Sequence, residues 1–240
     1  MIFWTSIYQG IVKSTVSLQF YSQCDFFSPG KEPDIVYIHT DSYNLIWKDS
    51  GSGAHLDGSI WAVENYQPEY CSAGDVMGEG HGKPTSKALL IKANKEGALR
   101  SPTGFSLVWK NDGSQADWDV GIYNMNCPLG YSPLGHVAVR SHSSVPDKSK
   151  YCCVKNEYLT YGEFKMSWND QGEKKKKILF VDITIKIPLT VSLWKVIRGS
   201  DPLGTEGGYF KTVKSNEKPA PLQATLLKVD GKKVCYSVLY

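Results

Sequence analysis

The stretch LIWKDSGSGAHLDGSIW (45–61) decides the reading of this chain, because it recurs. LVWKNDGSQADWDVGIY (107–123) repeats it, and MSWNDQGEKKKK (166–177) repeats its opening. The tryptophans that anchor the copies, Trp47, Trp109 and Trp168, lie 62 and 59 residues apart. Copies one and two align without a gap through the turn: Gly51 falls on Gly113, Ser52 on Ser114, Ala54 on Ala116, Asp57 on Asp119 and Ile60 on Ile122. Further on, YCSAGDV (70–76) matches YSPLGHV (131–137), and LLIK (89–92) matches CCVK (152–155). The third copy keeps Asp170 and Gly172, diverges into lysines, and recovers at SLWKV (192–196), PLGTEGGYF (202–210) and LLKV (226–229).

A unit of about 60 residues with this few apolar positions does not bury a core alone, so the copies must share one. The repeat therefore predicts a single domain over 1–240, with copies at about 43–104, 105–163 and 164–229 and flanking strands in 1–42 and 230–240. Period-two alternation and β-branched runs dominate, as in DIVYIHT (34–40), ALLIKA (88–93) and KILFVDITIKI (177–187). Gly, Pro, Ser and Asn break the runs at short intervals. Asp230-Gly231 between two such runs reads as a hairpin turn. Three sets of short antiparallel strands predict an all-β, pseudo-threefold, β-prism-like domain.

Composition narrows the function. Aromatic residues make up 12% of the chain, with 14 Tyr and 7 Trp, which suits a sheet protein or a sugar-binding surface. A net charge of +3 argues against a nucleic-acid partner. No apolar run reaches the length of a transmembrane helix. The six cysteines, Cys24, Cys71, Cys127, Cys152, Cys153 and Cys235, form no C-x-x-C and do not recur at matched repeat positions. That pattern reads as buried reduced thiols, the alternative being one or two disulfides, and it favours a cytoplasmic or peripheral-membrane protein over a secreted one.

The candidate site lies in the turns. Gly53 and its neighbouring glycines permit a close backbone approach, while Asp57 and Asp119 supply carboxylate oxygens. Their competing role is to hydrogen-bond their own loop. Trp118, between Asp117 and Asp119, is the aromatic best placed for stacking, whereas Trp47, Trp109 and Trp168 read as a core layer. His55 lies in the Gly-rich loop of copy one, and Lys174 and Lys175 open a run suited to anionic headgroups. The five histidines show no metal-binding spacing, the acidic count per loop is low for calcium, and no nucleophile elbow or phosphate loop is present. No cofactor, metal or catalytic residue is expected. These features predict a non-enzymatic module that binds glycans or lipid headgroups. The alternatives are a sorting adaptor that captures peptides at a sheet edge and an enzyme whose cavity gathers distant His, Asp and Cys residues.

IWKDSGSGAHLDGSIW (46–61), AGDVMGEGHGKP (73–84), LVWKNDGSQADWDVGIY (107–123) and LGHVAV (134–139) together resemble the vacuolar protein sorting-associated protein 62 family. Its hallmarks are a W-x-D-x-G-S-G-A turn, a following D-x-S-I-W, and a G-D-V step before K-P. The chain departs from this pattern at Gln115, at Val120-Gly121 and in the third-copy lysines. The resemblance implies a β-rich repeat domain and brings no catalytic residues with it.

Overall fold

A bulged strand starts each copy's larger sheet. Pairing slips by one residue between Leu45 and Trp47, between Leu107 and Trp109, and between Met166 and Trp168. Such a bulge re-aims the side chain that follows it. Here it places each tryptophan opposite an inward aliphatic residue: Trp47 on Ile60, Trp109 on Ile122 and Trp168 on Leu193.

The computed structural model describes residues 32–172 and 191–237. β1 (Ile35–Thr40) lies in the segment before the repeats, and copy one supplies β2 (Tyr43–Lys48), β3 (Gly58–Val63), β4 (Val76–Glu79), β5 (Ala88–Ala93) and β6 (Leu99–Arg100). Copy two supplies β7 (Gly104–Lys110), β8 (Gly121–Asn126), β9 (Tyr131–Ser132), β10 (Val137–Val139), β11 (Cys153–Lys155) and β12 (Leu159–Tyr161). Copy three supplies β13 (Glu163–Asn169), β14 (Ser192–Ile197), β15 (Gly204–Thr205), β16 (Phe210–Val213) and β17 (Thr225–Lys228), and β18 (Val234–Tyr236) follows. The larger sheets are ordered β2-β3-β4, β7-β8-β10 and β13-β14-β16. Three smaller sheets are ordered β18-β1-β5, β6-β11-β9 and β12-β17-β15. The domain is all-β and β-prism-like with pseudo-threefold symmetry. Among the described residues its strand pairs are antiparallel except β1 with β18, which run parallel.

That exception corrects the expected hairpin at Asp230-Gly231. β17 already has β12 on one edge and β15 on the other, so β18 has no edge of β17 to join. Asp230 Oδ1 instead accepts from the amides of Lys232, Lys233 and Val234 and turns the chain toward β1. The strand expected at 177–187 lies outside the described residues.

Two buried layers stack within the prism. The larger sheets enclose Trp47, Ile60, Met77, Ile122, Trp168, Leu193 and Phe210. The smaller sheets enclose Ile35, Leu89, Ile91, Val154, Tyr209 and Leu227. The three repeat tryptophans meet one another, with ring centroids 5.2 Å (Trp47–Trp168), 6.1 Å (Trp109–Trp168) and 6.5 Å (Trp47–Trp109) apart, so they form the expected core layer.

A ring of equivalent positions stitches copy to copy. Asp75 Oδ2 accepts the amide of Ala138 at 2.8 Å, and His136 Nδ1 accepts the amide of Thr212 at 3.0 Å. The side chain of Phe210, the third member, carries no acceptor. The amide of Met77 is met by the carbonyl of Gly208, a residue at φ 72°. Burial pushes the Asp75 carboxyl up to about 7, against the pull of the Ala138 amide and the Tyr151 hydroxyl. Burial holds His136 well below its ordinary value, and the charge of Lys211 adds to this.

The cysteine expectation is overturned. Cys71 is bonded to Cys152 and Cys127 to Cys153, Cys235 is also disulfide-bonded, and no described cysteine is free. The bonds do not recur with the repeat because Cys71–Cys152 joins copy one to copy two while Cys127–Cys153 closes copy two on itself. Adjacent residues on an extended chain face opposite ways, so Cys152 and Cys153 reach different partners.

Candidate binding site at the repeat turns

The turns interlock around the tryptophan layer. Gly51, Gly113 and Gly172 occupy the same position in the three copies, and all three adopt positive φ, at 82°, 77° and 89°. Just beyond it, Ser52 Oγ accepts the amide of Ala54, and Ser114 Oγ accepts that of Ala116. The copies then exchange main-chain bonds. The amide of Asp117 donates to the carbonyl of Ser50, and the amide of His55 donates to the carbonyl of Gln171, both at 2.8 Å. Asp117 and His55 are equivalent positions, as are Ser50 and Gln171, so the turn of copy two is braced by copy one and the turn of copy one by copy three.

Beneath this lies a buried Asx position, Asp49 in copy one and Asn111 in copy two. Asp49 Oδ1 accepts the amide of Gly58 at 3.0 Å, and its Oδ2 accepts the indole N–H of Trp168 at 2.9 Å. Asn111 Oδ1 likewise accepts the amide of Val120, but its Nδ2 donates to the carbonyl of Trp118. An amide nitrogen cannot serve as an acceptor. The buried Nε1 of Trp47 has no partner among the described residues.

A histidine completes the arrangement in both copies. His81 Nε2 lies 2.6 Å from Asp49 Oδ1 and 3.8 Å from Asp57 Oδ1. His142 Nε2 lies 2.7 Å from Asn111 Oδ1 and 3.6 Å from Asp119 Oδ1. The buried Asx thus anchors an imidazole that faces an exposed carboxylate, the side chains of Asp57 and Asp119 being 68% and 67% exposed.

The sequence-selected residues divide accordingly. Asp57 and Asp119 occupy equivalent, exposed positions beside these histidines. Asp117 is engaged elsewhere: its Oδ2 accepts from the Ser50 hydroxyl at 2.7 Å. His55 is exposed and packs toward Gly172, where a methyl group would lie 2.6 Å from its Nε2, and Gly53 lies beside it at φ 77°. Trp118 is half-buried, with the Arg140 guanidinium 3.8 Å from its ring centre and Lys48 Nζ at 5.5 Å. Arg140 is itself held by the carbonyls of Leu45 and Ile46. Lys174 and Lys175 lie outside the described residues.

Asp49, Asn111, His142 and Arg140 were not selected from the sequence, and His81 was a candidate only for the alternative of an enzyme. A signal existed for His142: it lies 61 residues beyond His81, close to the 62 that separate Trp47 and Trp109.

The family model for vacuolar protein sorting-associated protein 62 matches residues 35–233. The chain belongs to this family. Residues 35–233 take in every strand from β1 to β17, so the vacuolar protein sorting-associated protein 62 family match spans all three copies. No curated protein sequence matches the chain. Among solved structures, that of GNIP1Aa from Chromobacterium piscinae is similar, with a TM-score of 0.61 and 20% identity. The match covers 82% of this chain and 38% of that one, so the chain spans well under half the length of GNIP1Aa. At this identity the likeness is one of fold. Family and fold fit a binding module.

Proposed function

We propose that the chain is a non-enzymatic module that recognises glycans through the turns of copies one and two. The observation that carries this reading is the duplicated pair of exposed carboxylate and imidazole, Asp57 with His81 and Asp119 with His142. Each pair sets an exposed carboxylate, an acceptor for sugar hydroxyls, beside an imidazole ring whose Nε2 is already held by the buried Asx, and each is braced by cross-linked main chain. Two equivalent sites on one rigid body would also engage a multivalent ligand with avidity. The disulfides support this reading, because they persist in oxidising compartments and so favour an extracytosolic site of action.

A second reading, a lipid-headgroup contact, draws on the Lys48, Arg140 and Trp118 cluster, with Lys174 and Lys175 as further candidates. Salt separates the two. Raising ionic strength from about 0.1 to 1 M shortens the Debye length from about 10 to 3 Å, which abolishes a headgroup contact and spares sugar hydrogen bonds. The test is glycan-array and anionic-liposome binding at both salt levels, with Asp57→Ala and Asp119→Ala. Salt-resistant glycan binding lost in the double variant supports the proposal, whereas binding confined to liposomes at low salt replaces it with the second reading.

A further inference from the structure

We infer that Asp49, Asp57 and His81 form a site for a divalent transition-metal ion of the zinc class. Each residue offers one ligand atom, and the three atoms lie within 4.8 Å of one another. One imidazole nitrogen with two carboxylate oxygens suits zinc or manganese. Asp49 is the anchor. It is 3% exposed and oriented by the Gly58 amide and the Trp168 indole, the kind of outer support that fixes a metal ligand. Asp57 and His81 lie at the rim, which leaves coordination positions open to water or a ligand.

Charge points the same way. Among the described residues the ion-pair partner of both Asp49 and Asp57 is His81, and no lysine or arginine pairs with either. Two carboxylates therefore face a single imidazole, and a dication would neutralise them. The His81–Asp49 distance of 2.6 Å is that of a hydrogen bond. At metal–ligand bonds of about 2.0–2.1 Å the ligand atoms stand roughly 3 Å apart, so binding exchanges the shared proton for the ion and moves His81 outward. The flanking loop has room for this: a methyl group at Gly80 or Gly82 would meet nothing within 4 Å.

Copy two is a built-in control. Asn111, Asp119 and His142 repeat the geometry with one carboxylate fewer. The proposal does not rest on glycan recognition, although it shares Asp57 and His81 with that reading, because the ion is measured without sugar.

The experiment titrates chelator-treated protein with Zn²⁺ by calorimetry and with Co²⁺ by visible absorption. One ion should bind per chain. Asp57→Asn and His81→Gln should each weaken binding about tenfold or more, and His142→Gln should leave it unchanged. Asp57 is exposed, so its variant keeps the fold, which near-ultraviolet circular dichroism verifies. No binding by the wild type at millimolar Zn²⁺, binding unaltered in both copy-one variants, or equal loss in His142→Gln would overturn the assignment. Zinc binding without glycan binding would leave this site standing and remove the glycan reading alone.

Discussion

Trp168 donates its indole N–H to Asp49 across the boundary between copies three and one, at 2.9 Å, while Trp47, its counterpart, has no such acceptor. The difference follows from Asn111 standing where copy one has Asp49. Asp49→Asn would place an amide nitrogen where Oδ2 now accepts, or else give up the Gly58 amide. It should destabilise the fold by about 1–3 kcal/mol, the cost of a buried donor left unmet. Urea denaturation would measure this, and an unchanged midpoint would show that the bond contributes nothing.

Gly51 and Gly113 share a left-handed backbone but not their surroundings. A methyl group at Gly51 would lie 2.7 Å from Asp117 Oδ1, whereas at Gly113 it would meet nothing within 4 Å. Gly113→Ala should cost about 1–2 kcal/mol, the left-handed penalty alone. Gly51→Ala should cost more, because it also displaces the Ser50–Asp117 contact. Equal thermal shifts would contradict this account.

Asp75 makes stability depend on pH. Its folded value of about 7 lies above the ordinary carboxylate value, so the native state holds the proton more tightly than the unfolded chain. The associated stabilisation is full below about pH 4 and is lost as pH rises through 7. His136 acts in the opposite sense: it is held neutral by burial, and its contribution is present above about 6.5 and falls as pH drops. Comparing Asp75→Asn with the wild type cancels the His136 part. The variant should gain relative stability steadily between pH 4 and 7.5, and a flat difference would refute the assignment.

The two resolved disulfides should differ in worth. Cys71–Cys152 spans 81 residues and Cys127–Cys153 spans 26. Loop-closure entropy makes removal of the longer link cost about 1 kcal/mol more. Paired Cys→Ala variants in urea would give the two values, and the reverse order would mean that native-state contacts dominate.

The tryptophan layer was legible because identical residues recur at nearly constant spacing. His81 and His142 recur almost as regularly, but GEGHG and RSHSS share nothing else that aligns them. The inter-copy ring was hidden for a chemical reason. Asp75, His136 and Phe210 look unrelated, and the third acceptor is the Gly208 main chain. Disulfide pairing and the placement of β18 depend on which edges and faces other copies leave available, and a local pattern does not encode this.

The adjacency of Cys152 and Cys153 makes oxidation a proofreading problem. A slip of one residue at the start of β11 would carry Cys153 into the place of Cys152, beside Cys71, or Cys152 into the place of Cys153, beside Cys127, and would leave the other sulfur without its partner. Covalent closure before the strand has found its place would trap the chain in that mispaired form, and thiol exchange is the route back. In this molecule strand alignment and bond formation are one decision, so the order in which they occur governs how much chain reaches the native state.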